Sequence, residues 1–334
     1  MRFVPCVTGR IPTFKSRATN VPEEPRKLII ATRESALALW QAEYVRDQLQ
    51  AVHPQLEITL LGMTTEGDRK LGTTLAKIGG KGLFVKELEE ALLDGRADIA
   101  VHSMKDVPVN LPDGFTIAAI ALREDPRDAF VSNRFSDLAD LPRGARVGTS
   151  SLRRESQLRA RRPDLVVEPV RGNVQTRLRK LDQGEFDAIL LAAAGLKRLQ
   201  LESRIRSFIS PEDSIPAVGQ GAIGIECRAD RPEIIRLLGP LADPDTAWCV
   251  QAERAMSRAL AGSCTAPLGG FACTDGSQAT LTGFVALPDG RRMQRASRQV
   301  DRASTSADAL GQSVAGMLIA AGALEILGAA DSAP

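Results

Sequence analysis

The sequence contains few of the residues on which several common kinds of functional site depend. Only two of its 334 residues are histidines, which disfavours both a histidine-based metal site and a Ser-His-Asp triad. Its five cysteines are scattered and include no Cys-x-x-Cys pair, which argues against a zinc cluster or a disulfide framework and for a reducing compartment. No apolar run approaches the roughly 18 residues that a membrane span requires, so no membrane partner is expected.

The chain also lacks an excess of charge of either sign. Its formal net charge is +2 and only 4% of its residues are aromatic, which disfavours a broad nucleic-acid surface. With 43% hydrophobic and 25% charged residues it is typical of globular proteins, and its length allows two or three domains. Residues 1–26 hold five basic residues and four prolines without a signal peptide's apolar core. They are interpreted as a flexible extension, with an organelle-targeting segment as the alternative.

Two successive stretches of the chain each show strand patterns that alternate with helix patterns, which predicts an α/β fold with parallel sheets. The first unit has apolar strands near 28–31, 56–61 and 97–101, and the second has them near 146–148, 165–170 and 187–194. A further apolar run near 216–226 is expected to rejoin the first sheet. The remainder, with two helical patterns around a hairpin, predicts a small α+β unit. The expected domains are therefore 27–122 with 216–240, then 123–215, then 241–334.

The stretch VHSMKDVP at 101–108 follows one of these strands and changes abruptly from apolar to polar. In an open α/β sheet, ligands bind beyond the carboxyl ends of the strands. The stretch places Ser103, Lys105 and Asp106 at such an end, while Pro108 restricts any continuing helix. A simple solvated turn is the alternative interpretation.

Arginines occur repeatedly where helices are predicted to begin. The amino end of a helix already carries partial positive charge, so arginines there are unfavourable unless anions are bound. Guanidinium groups and capping hydroxyls could then converge on carboxylates or phosphates of a ligand between the two α/β units. Weak surface pairs with acids such as Glu34 or Glu155 are the alternative for any single arginine. The arginines are Arg33, Arg153, Arg154, Arg171 and Arg177, and the hydroxyls are Ser35, Ser150 and Ser151.

Two further residues are candidates for a chemical role beside these anion-binding groups. Asp106, surrounded by positive charge, is expected to be ionised and to stabilise a cation formed during a reaction. Cys264 lies in a loop of small residues where a thiol could be reached, although most such cysteines are inert core residues. Cys227, Cys249 and Cys273 fit that structural role better.

Several motifs together resemble the porphobilinogen deaminase (hydroxymethylbilane synthase) family, and the resemblance extends over nearly the whole chain from about residue 28. Each motif alone is weakly specific, but the combination is highly specific. They are ATR at 31–33, KIGGKGLF at 77–84, HSMKDVP at 102–108, REDPRD at 123–128, GTSSLRR at 148–154, RGN at 171–173 and AVGQG at 217–221.

The resemblance implies two domains like those of type II periplasmic binding proteins, an active cleft between them, and a third domain that carries a cofactor. It implies a monomeric, cytoplasmic transferase that joins porphobilinogen units into a linear tetrapyrrole with loss of ammonia. Its covalent dipyrromethane cofactor would form a thioether with Cys264, its catalytic aspartate would be Asp106, and no metal is implied. Residues that bind the carboxylates of cofactor and substrate would be Arg33, Ser35, Ser103, Lys105, Thr149, Ser151, Arg153, Arg154, Arg171, Gly172, Arg177 and Arg198. Lys77, Lys81 and Phe84 would belong to a mobile cover.

One departure from the family pattern lies beside the proposed attachment site. Ser263 stands where many members have glycine, which could stiffen the loop but leaves the thiol in place. The main competing hypothesis is a two-domain receptor for carboxylates or phosphates that has no turnover. It explains the arginines but gives Asp106 and Cys264 no role. A nucleic-acid binder is a second, less favoured alternative.

Overall fold

Thirteen strands and ten α-helices are present in the parts of the chain that the computed structural model describes, which are residues 25–69, 85–260 and 267–331. The strands are β1 (Lys27–Arg33), β2 (Glu57–Met63), β3 (Ile99–Ser103), β4 (Phe115–Ile120), β5 (Asp128–Val131), β6 (Arg146–Gly148), β7 (Val166–Glu168), β8 (Ala188–Ala192), β9 (Ser207–Ile209), β10 (Ile223–Arg228), β11 (Leu268–Thr274), β12 (Gln278–Ala286) and β13 (Met293–Asp301). The helices are α1 (Ala36–Val52), α2 (Glu66–Arg69), α3 (Lys86–Leu93), α4 (Leu152–Arg161), α5 (Val174–Asp182), α6 (Ala193–Arg198), α7 (Pro232–Leu238), α8 (Pro244–Ala259), α9 (Ala307–Ala320) and α10 (Ala323–Asp331).

Two five-stranded sheets share one plan. The first has the order β2-β1-β3-β10-β4, in which β1 is parallel to β2 and β3, and β10 is antiparallel to β3 and β4. The second has the order β7-β6-β8-β5-β9, in which β6 is parallel to β7 and β8, and β5 is antiparallel to β8 and β9. The chain therefore crosses between the sheets twice, through residues 121–127 and 210–222.

The first sheet forms where the sequence places its most apolar runs. In β3 the residues from Ile99 to His102 are buried, as in a strand covered on both faces. Leu28 of β1 and Val101 of β3 pack with Val45 and Leu49 of α1 in one core cluster. Each such side chain contributes roughly 1.5–3 kcal/mol when fully buried. The core thereby holds the carboxyl end of β3, and the turn that follows it, in a fixed place.

The third sheet is small and antiparallel, with the order β11-β12-β13, and α8 and α9 pack against it to form one hydrophobic core. Asp243 caps α8 by accepting a hydrogen bond of 2.7 Å from the Thr246 N–H, and Pro244 occupies the first helical position. Leu281 of β12 and Leu310 of α9 are fully buried in this core. The predicted class, two α/β units followed by a small α+β unit, is confirmed.

Several element boundaries differ from the sequence prediction. The run near 216–226 forms a strand only from 223 to 228, and it does join the first sheet. The strand predicted at 187–194 ends at 192, because the next two residues begin α6. The short strands β4, β5 and β9 were not predicted. Over the described residues no single helix is long and apolar enough to cross a membrane, and the apolar pair α9 and α10 is bent by 76°.

Candidate active site

The turn after β3 presents Asp106 at the edge of the first sheet. A single turn of 3-10 helix, Met104–Asp106, follows the strand and ends where the Val107 N–H donates 3.3 Å to the Met104 carbonyl. Met104 is buried beneath the turn and packs against Gly219, where a Cβ atom would lie 2.8 Å from the Met104 Cβ. Gly219 also has a φ of +73°, which favours glycine. The buried methionine thus anchors the turn and leaves Asp106 at the surface of a pocket.

That pocket lies between the carboxyl ends of β1 and β3 and the start of α1. Among its lining residues are Arg33, Ser35, Gln41, Ser103 and Asp106. Ser35 caps α1, its hydroxyl accepting from the Ala38 N–H at 3.4 Å. The Gln41 amide donates 2.8 Å to the Ser103 hydroxyl and fixes its position. Four of the residues predicted for the site are therefore together in one pocket.

Arg33 is held in that pocket by an acid that was not predicted from the sequence. Its guanidinium makes a two-pronged ion pair with Asp68, with 3.0 Å between Nε and Oδ2. Burial acts to raise the pKa of Asp68, but hydrogen bonds from Arg33 and Thr65 outweigh it and keep that pKa below its usual value. Glu34, the partner suggested by the sequence, instead accepts from the Thr64 hydroxyl.

Arg153 and Arg154 both converge on one buried carboxylate, Asp128, and we call these three residues the Asp128 cluster. Arg153 Nη2 lies 2.9 and 2.8 Å from the two oxygens of Asp128, and Arg154 Nε lies 2.9 Å from Oδ1. The Ser214 hydroxyl donates 2.9 Å to Oδ2, and the Gln220 amide donates 3.0 Å to Oδ1. Burial alone would raise the pKa of Asp128, but the two guanidiniums hold it well below its usual value.

The Asp128 cluster keeps an excess of positive charge, because one carboxylate faces two guanidiniums. Arg153 also donates 2.7 Å to the Ile215 carbonyl, and Arg154 donates 3.1 Å to the Leu190 carbonyl. Among the described residues, the buried Arg153 Nε has no hydrogen-bond partner. The two arginines therefore join the second sheet to the crossing segment 210–222 and still leave charge for an anion. Their role in binding ligand carboxylates remains a prediction.

The segment RGN at 171–173 forms a tight turn before α5. Gly172 has a φ of +109°, and a Cβ atom there would lie 2.6 Å from the Thr176 Cβ, so larger residues would be strained. Asn173 caps α5, its side chain accepting 2.9 Å from the Thr176 N–H. Arg177 Nε donates 2.8 Å to the Gly172 carbonyl. The turn therefore places Arg171 and Arg177 side by side.

Electrostatic interactions join these two regions to the turn after β3. Burial lowers the pKa of Lys105 to about 8, with Asp106 opposing the shift and the Asp128 cluster also acting on it. Burial lowers the pKa of Arg177 to about 10; Arg154 and Arg171 add to the shift, and Asp106 opposes it. Asp106 therefore interacts with Lys105 of its own turn and with Arg177 of α5, and the Asp128 cluster and Arg171 act on these two cations in turn. We call Lys105, Arg153, Arg154, Arg171 and Arg177 the cationic cluster.

The remaining predicted residues are more varied in their positions. Thr149 is buried at the end of β6, where its hydroxyl accepts 3.3 Å from the Ser151 N–H. Ser151 begins α4, but its side chain makes no capping hydrogen bond. The guanidinium carbon of Arg198 lies 5.7 Å from the centre of the Trp40 ring, and its Nη2 donates 2.7 Å to the Gly221 carbonyl. Arg198 therefore lies against the crossing segment 210–222. Burial lowers its pKa to about 10.

The described cysteines are poor nucleophiles. Burial raises the pKa of Cys227 to about 11 and that of Cys249 to about 12, and it also raises the pKa of Cys273. Cys264 and the predicted cover residues Lys77, Lys81 and Phe84 lie outside the described residues. In the described part of the chain, no group of three or more acidic, histidine or cysteine side chains could hold a metal ion.

Family models and individual relatives with sequences similar to this chain all point to the same family. Residues 28–236 match the model described as "Porphobilinogen deaminase, dipyromethane cofactor binding domain", and residues 247–320 match "Porphobilinogen deaminase, C-terminal domain". A porphobilinogen deaminase of Methylobacillus flagellatus is 62% identical over 305 residues, which is 91% of this chain and 98% of the relative. One of Chromobacterium violaceum is 60% identical over 308 residues, covering 92% and 99%.

Solved structures of binding proteins match part of this chain at low identity and low TM-score. A putative methionine-binding lipoprotein of Bacillus subtilis has a TM-score of 0.43 at 12% identity, covering 66% of this chain and 92% of its own. The aliphatic sulphonate binding protein of Escherichia coli has a TM-score of 0.39 at 15% identity, covering 72% of each chain. The family models and the close relatives together account for most of the chain. The chain therefore belongs to the porphobilinogen deaminase family.

Proposed function

We propose that the protein condenses four porphobilinogen units head to tail, with loss of one ammonia at each step, and then releases linear hydroxymethylbilane by hydrolysis. The observation that carries this proposal is one carboxylate, Asp106, that lines a pocket with Arg33 and interacts with the cations of Lys105 and Arg177 in the cationic cluster. Each pyrrole of this substrate bears an acetate and a propionate, so a growing chain presents many carboxylates to such a cluster. A single carboxylate among them suits a reaction that passes through a cation.

The cationic cluster fits a dipyrromethane cofactor. Asp106 acts on Lys105 and Arg177, and Asp128 pairs with both Arg153 and Arg154, while Arg153 keeps a buried donor without a partner among the described residues. We propose that these residues, with Ser151 and Gly172, hold the carboxylates of cofactor and substrate. Arg33, Ser35 and Ser103, which line the same pocket as Asp106, would bind carboxylates there. Thr149 at the end of β6 and Arg198 against the crossing segment would help to hold the binding residues in place. When bound, the cofactor supplies the nucleophilic pyrrole carbon to which substrate adds.

Asp106 is proposed to accept hydrogen bonds from the substrate N–H groups and to stabilise the cation left on the substrate pyrrole when ammonia departs. A fixed negative charge in a partly enclosed site stabilises such a cation without the reorganisation that water would need. Met104 and its packing against Gly219 hold the Asp106 turn in place before substrate arrives. That preorganisation is what a charge-stabilising residue requires.

We propose that the cofactor is attached through a thioether to Cys264. The proposal rests on the local sequence and the family, since the residue lies between the described end of α8 and the start of β11. Glu253 of α8 joins that helix to β11 and to both crossing segments: it pairs with Arg123 at 2.6 Å and accepts from the Gly219 and Ala272 N–H groups at 2.7 and 2.8 Å. The third unit is thereby tied to both crossing segments next to the cationic cluster. Lys77, Lys81 and Phe84 are proposed as the cover of the cleft.

The intact mass of the purified protein tests this assignment. We expect the mass to exceed the sequence mass by a two-pyrrole addition, and a pyrrole-specific aldehyde reagent to give colour with the protein. Cys264→Ser should lose the addition, whereas Cys273→Ser, the matched control at an exposed cysteine, should keep it. An adduct that persists in Cys264→Ser would exclude that thiol. A wild-type protein with no adduct and no porphyrin after incubation with porphobilinogen and oxidation would favour the non-catalytic receptor.

Lys105 predicts an alkaline limb in the pH profile. Its pKa of about 8 means that the ammonium is lost above that pH in the ligand-free protein, so its attraction for substrate carboxylates is lost as well. We expect kcat/KM to fall as pH rises through about 8, since this ratio reports the free enzyme. In Lys105→Arg the limb should move to much higher pH because the guanidinium remains charged. A limb that stays near pH 8 in that variant would assign it to another group.

We also propose the domain division 27–122 with 216–240, 123–215 and 241–334, with 1–26 as a flexible extension. The two crossings between sheets and the interactions of Glu253 support it. As the family resemblance implies, we propose a monomer that acts in the cytoplasm without a nucleic-acid or membrane partner. Light scattering during size-exclusion chromatography measures the first of these properties.

A further inference from the structure

A buried histidine–carboxylate pair lies behind the pocket and has no part in the function proposed so far. His102 of β3 and Glu226 of β10 come from neighbouring antiparallel strands, with 2.8 Å between Nε2 and Oε2. Glu226 is completely buried and His102 is 6% exposed. The second oxygen of Glu226 has no hydrogen-bond partner in the described structure. A buried carboxylate oxygen without a partner is unfavourable, which indicates a role beyond stability.

Glu89 of α3 is the third member of this group. Its Oε1 is likewise buried without a hydrogen-bond partner within the described ranges. Burial, and then the negative charge of Glu226, raise the pKa of Glu89 to about 7, and His102 opposes the shift. Helix α3 packs against β3 and β10, the strands that carry His102 and Glu226, so the negative charge of Glu226 disfavours a second charge on Glu89.

Two further titratable groups in the described part of the chain act on this pair. Arg254 of α8 and the thiol of Cys227 also interact electrostatically with Glu226. Glu87, on the same helix as Glu89, accepts 2.7 Å from the Glu66 N–H through Oε1, while its Oε2 is also buried without a partner in the described ranges. The chain of titratable groups therefore runs from His102 through Glu226 to Glu89. His102 borders the same pocket as Asp106, and Glu89 is partly exposed to solvent.

We propose that His102, Glu226 and Glu89 form a relay that carries the proton released in each condensation from the pocket to solvent. The inference rests on the function proposed above. In that reaction the C–N bond of the substrate breaks and ammonia leaves with the electron pair. A C–C bond then forms, the α C–H bond of the attacking pyrrole breaks, and its electron pair restores the aromatic ring. One proton per cycle must therefore leave the carbon, and it ends on water or on the departing ammonia.

The geometry suits such a transfer. His102 can accept the proton at its other ring nitrogen and release the one that Nε2 shares with Glu226. The unpartnered oxygens of Glu226 and Glu89 can take up and pass on a proton without first breaking a hydrogen bond. Asp106 then need not take up the proton that leaves by this route. The three residues act on the proton and need no contact with the pyrrole rings.

Glu89→Gln in the holoenzyme tests the relay, with Glu90→Gln on the exposed face of α3 as its control. In the wild type we expect kcat/KM to rise with pH through about 7. Glu89→Gln should lose this limb and lower kcat about tenfold, less than the ~10²-fold typical of direct proton-transfer groups. Glu89→Asp should keep a limb at a shifted pH. An acid limb that remains near pH 7 in Glu89→Gln with unchanged kcat would overturn the proposal.

A second measurement does not depend on turnover. The chain has two histidines, so 15N-histidine NMR spectra of the holoenzyme contain few ring signals. We expect the His102 signals to show an inflection near pH 7 that reports Glu89 and is absent in Glu89→Gln. Persistence of that inflection would overturn the relay. A wild type that lacks the dipyrrole and any turnover would instead defeat the proposed function, so the two failures can be distinguished.

Discussion

Asp106→Ala is expected to lower the turnover of porphobilinogen by at least ~10²-fold, the loss typical of removing a positioned catalytic group. This corresponds to about 2.7 kcal/mol of transition-state stabilisation. Because the cation forms only as ammonia leaves, kcat should fall, and kcat/KM should fall further, since the hydrogen bonds to the substrate N–H groups are lost as well. Steady-state kinetics from pH 6 to 9 would measure both parameters.

The fold should survive this change. Asp106 is half-exposed at the end of a turn that Met104 anchors from below. Asp113→Asn, which removes an exposed carboxylate from the next loop, is the matched control and should keep wild-type rates. Circular dichroism and thermal unfolding should be the same for the wild type and both variants. Near-full activity of Asp106→Ala would remove Asp106 from the mechanism.

Asp128→Asn is expected to destabilise the fold strongly. Asparagine keeps the shape but not the charge, so the buried Arg153 and Arg154 would lose their counter-ion. Breaking a buried ion pair in this way costs about 3–5 kcal/mol, a large part of the roughly 5–15 kcal/mol that is typical of a domain. Urea unfolding followed by fluorescence and circular dichroism would measure the loss.

The same ion pairs predict a pH dependence of stability. The pKa of Asp128 is depressed in the folded state, so its contribution is present above the unfolded value near 4 and is lost as pH falls below it. Wild-type stability should therefore decrease steeply in acid, and Asp128→Asn should lack this component.

A matched control separates the Asp128 cluster from ordinary surface pairs. Asp164 forms an ion pair of 2.9 Å with Arg162 near the surface of the same unit, where solvent screens the attraction and such pairs contribute little to stability. Asp164→Asn should therefore change the free energy of unfolding little. Equal losses of unfolding free energy in Asp128→Asn and Asp164→Asn would show that the buried cluster contributes no more to stability than a surface ion pair.

The predictable parts of the structure are those that local sequence determines. The apolar run before His102 is continuous because β3 is buried on both faces, and the polar turn after it follows at once. The same applies to the helix that begins after Ser35, whose hydroxyl caps it. Asp106 and its turn could therefore be placed at a sheet edge from residue order alone.

The partners of the arginines could not be predicted in this way. Asp128 begins β5, a strand of only four residues, which is too short to give a clear period. Its pairing with Arg153 and Arg154 depends on a crossing between sheets that brings distant segments together. The pair His102 and Glu226 is separated by 124 residues and depends on β10 returning to the first sheet. In each case tertiary pairing decides the role of the residue.

The return of β10 to the first sheet also affects the order in which the sheets can form during synthesis of the chain. Every strand of the second sheet lies between residues 128 and 209, whereas the first sheet needs β10, which ends at Arg228. On the ribosome, the later unit therefore has all its strands available before the earlier one does. Until β10 has been synthesised, β3 and β4 lack the strand that pairs between them. Vectorial synthesis thus reverses the order in which the two sheets can be completed.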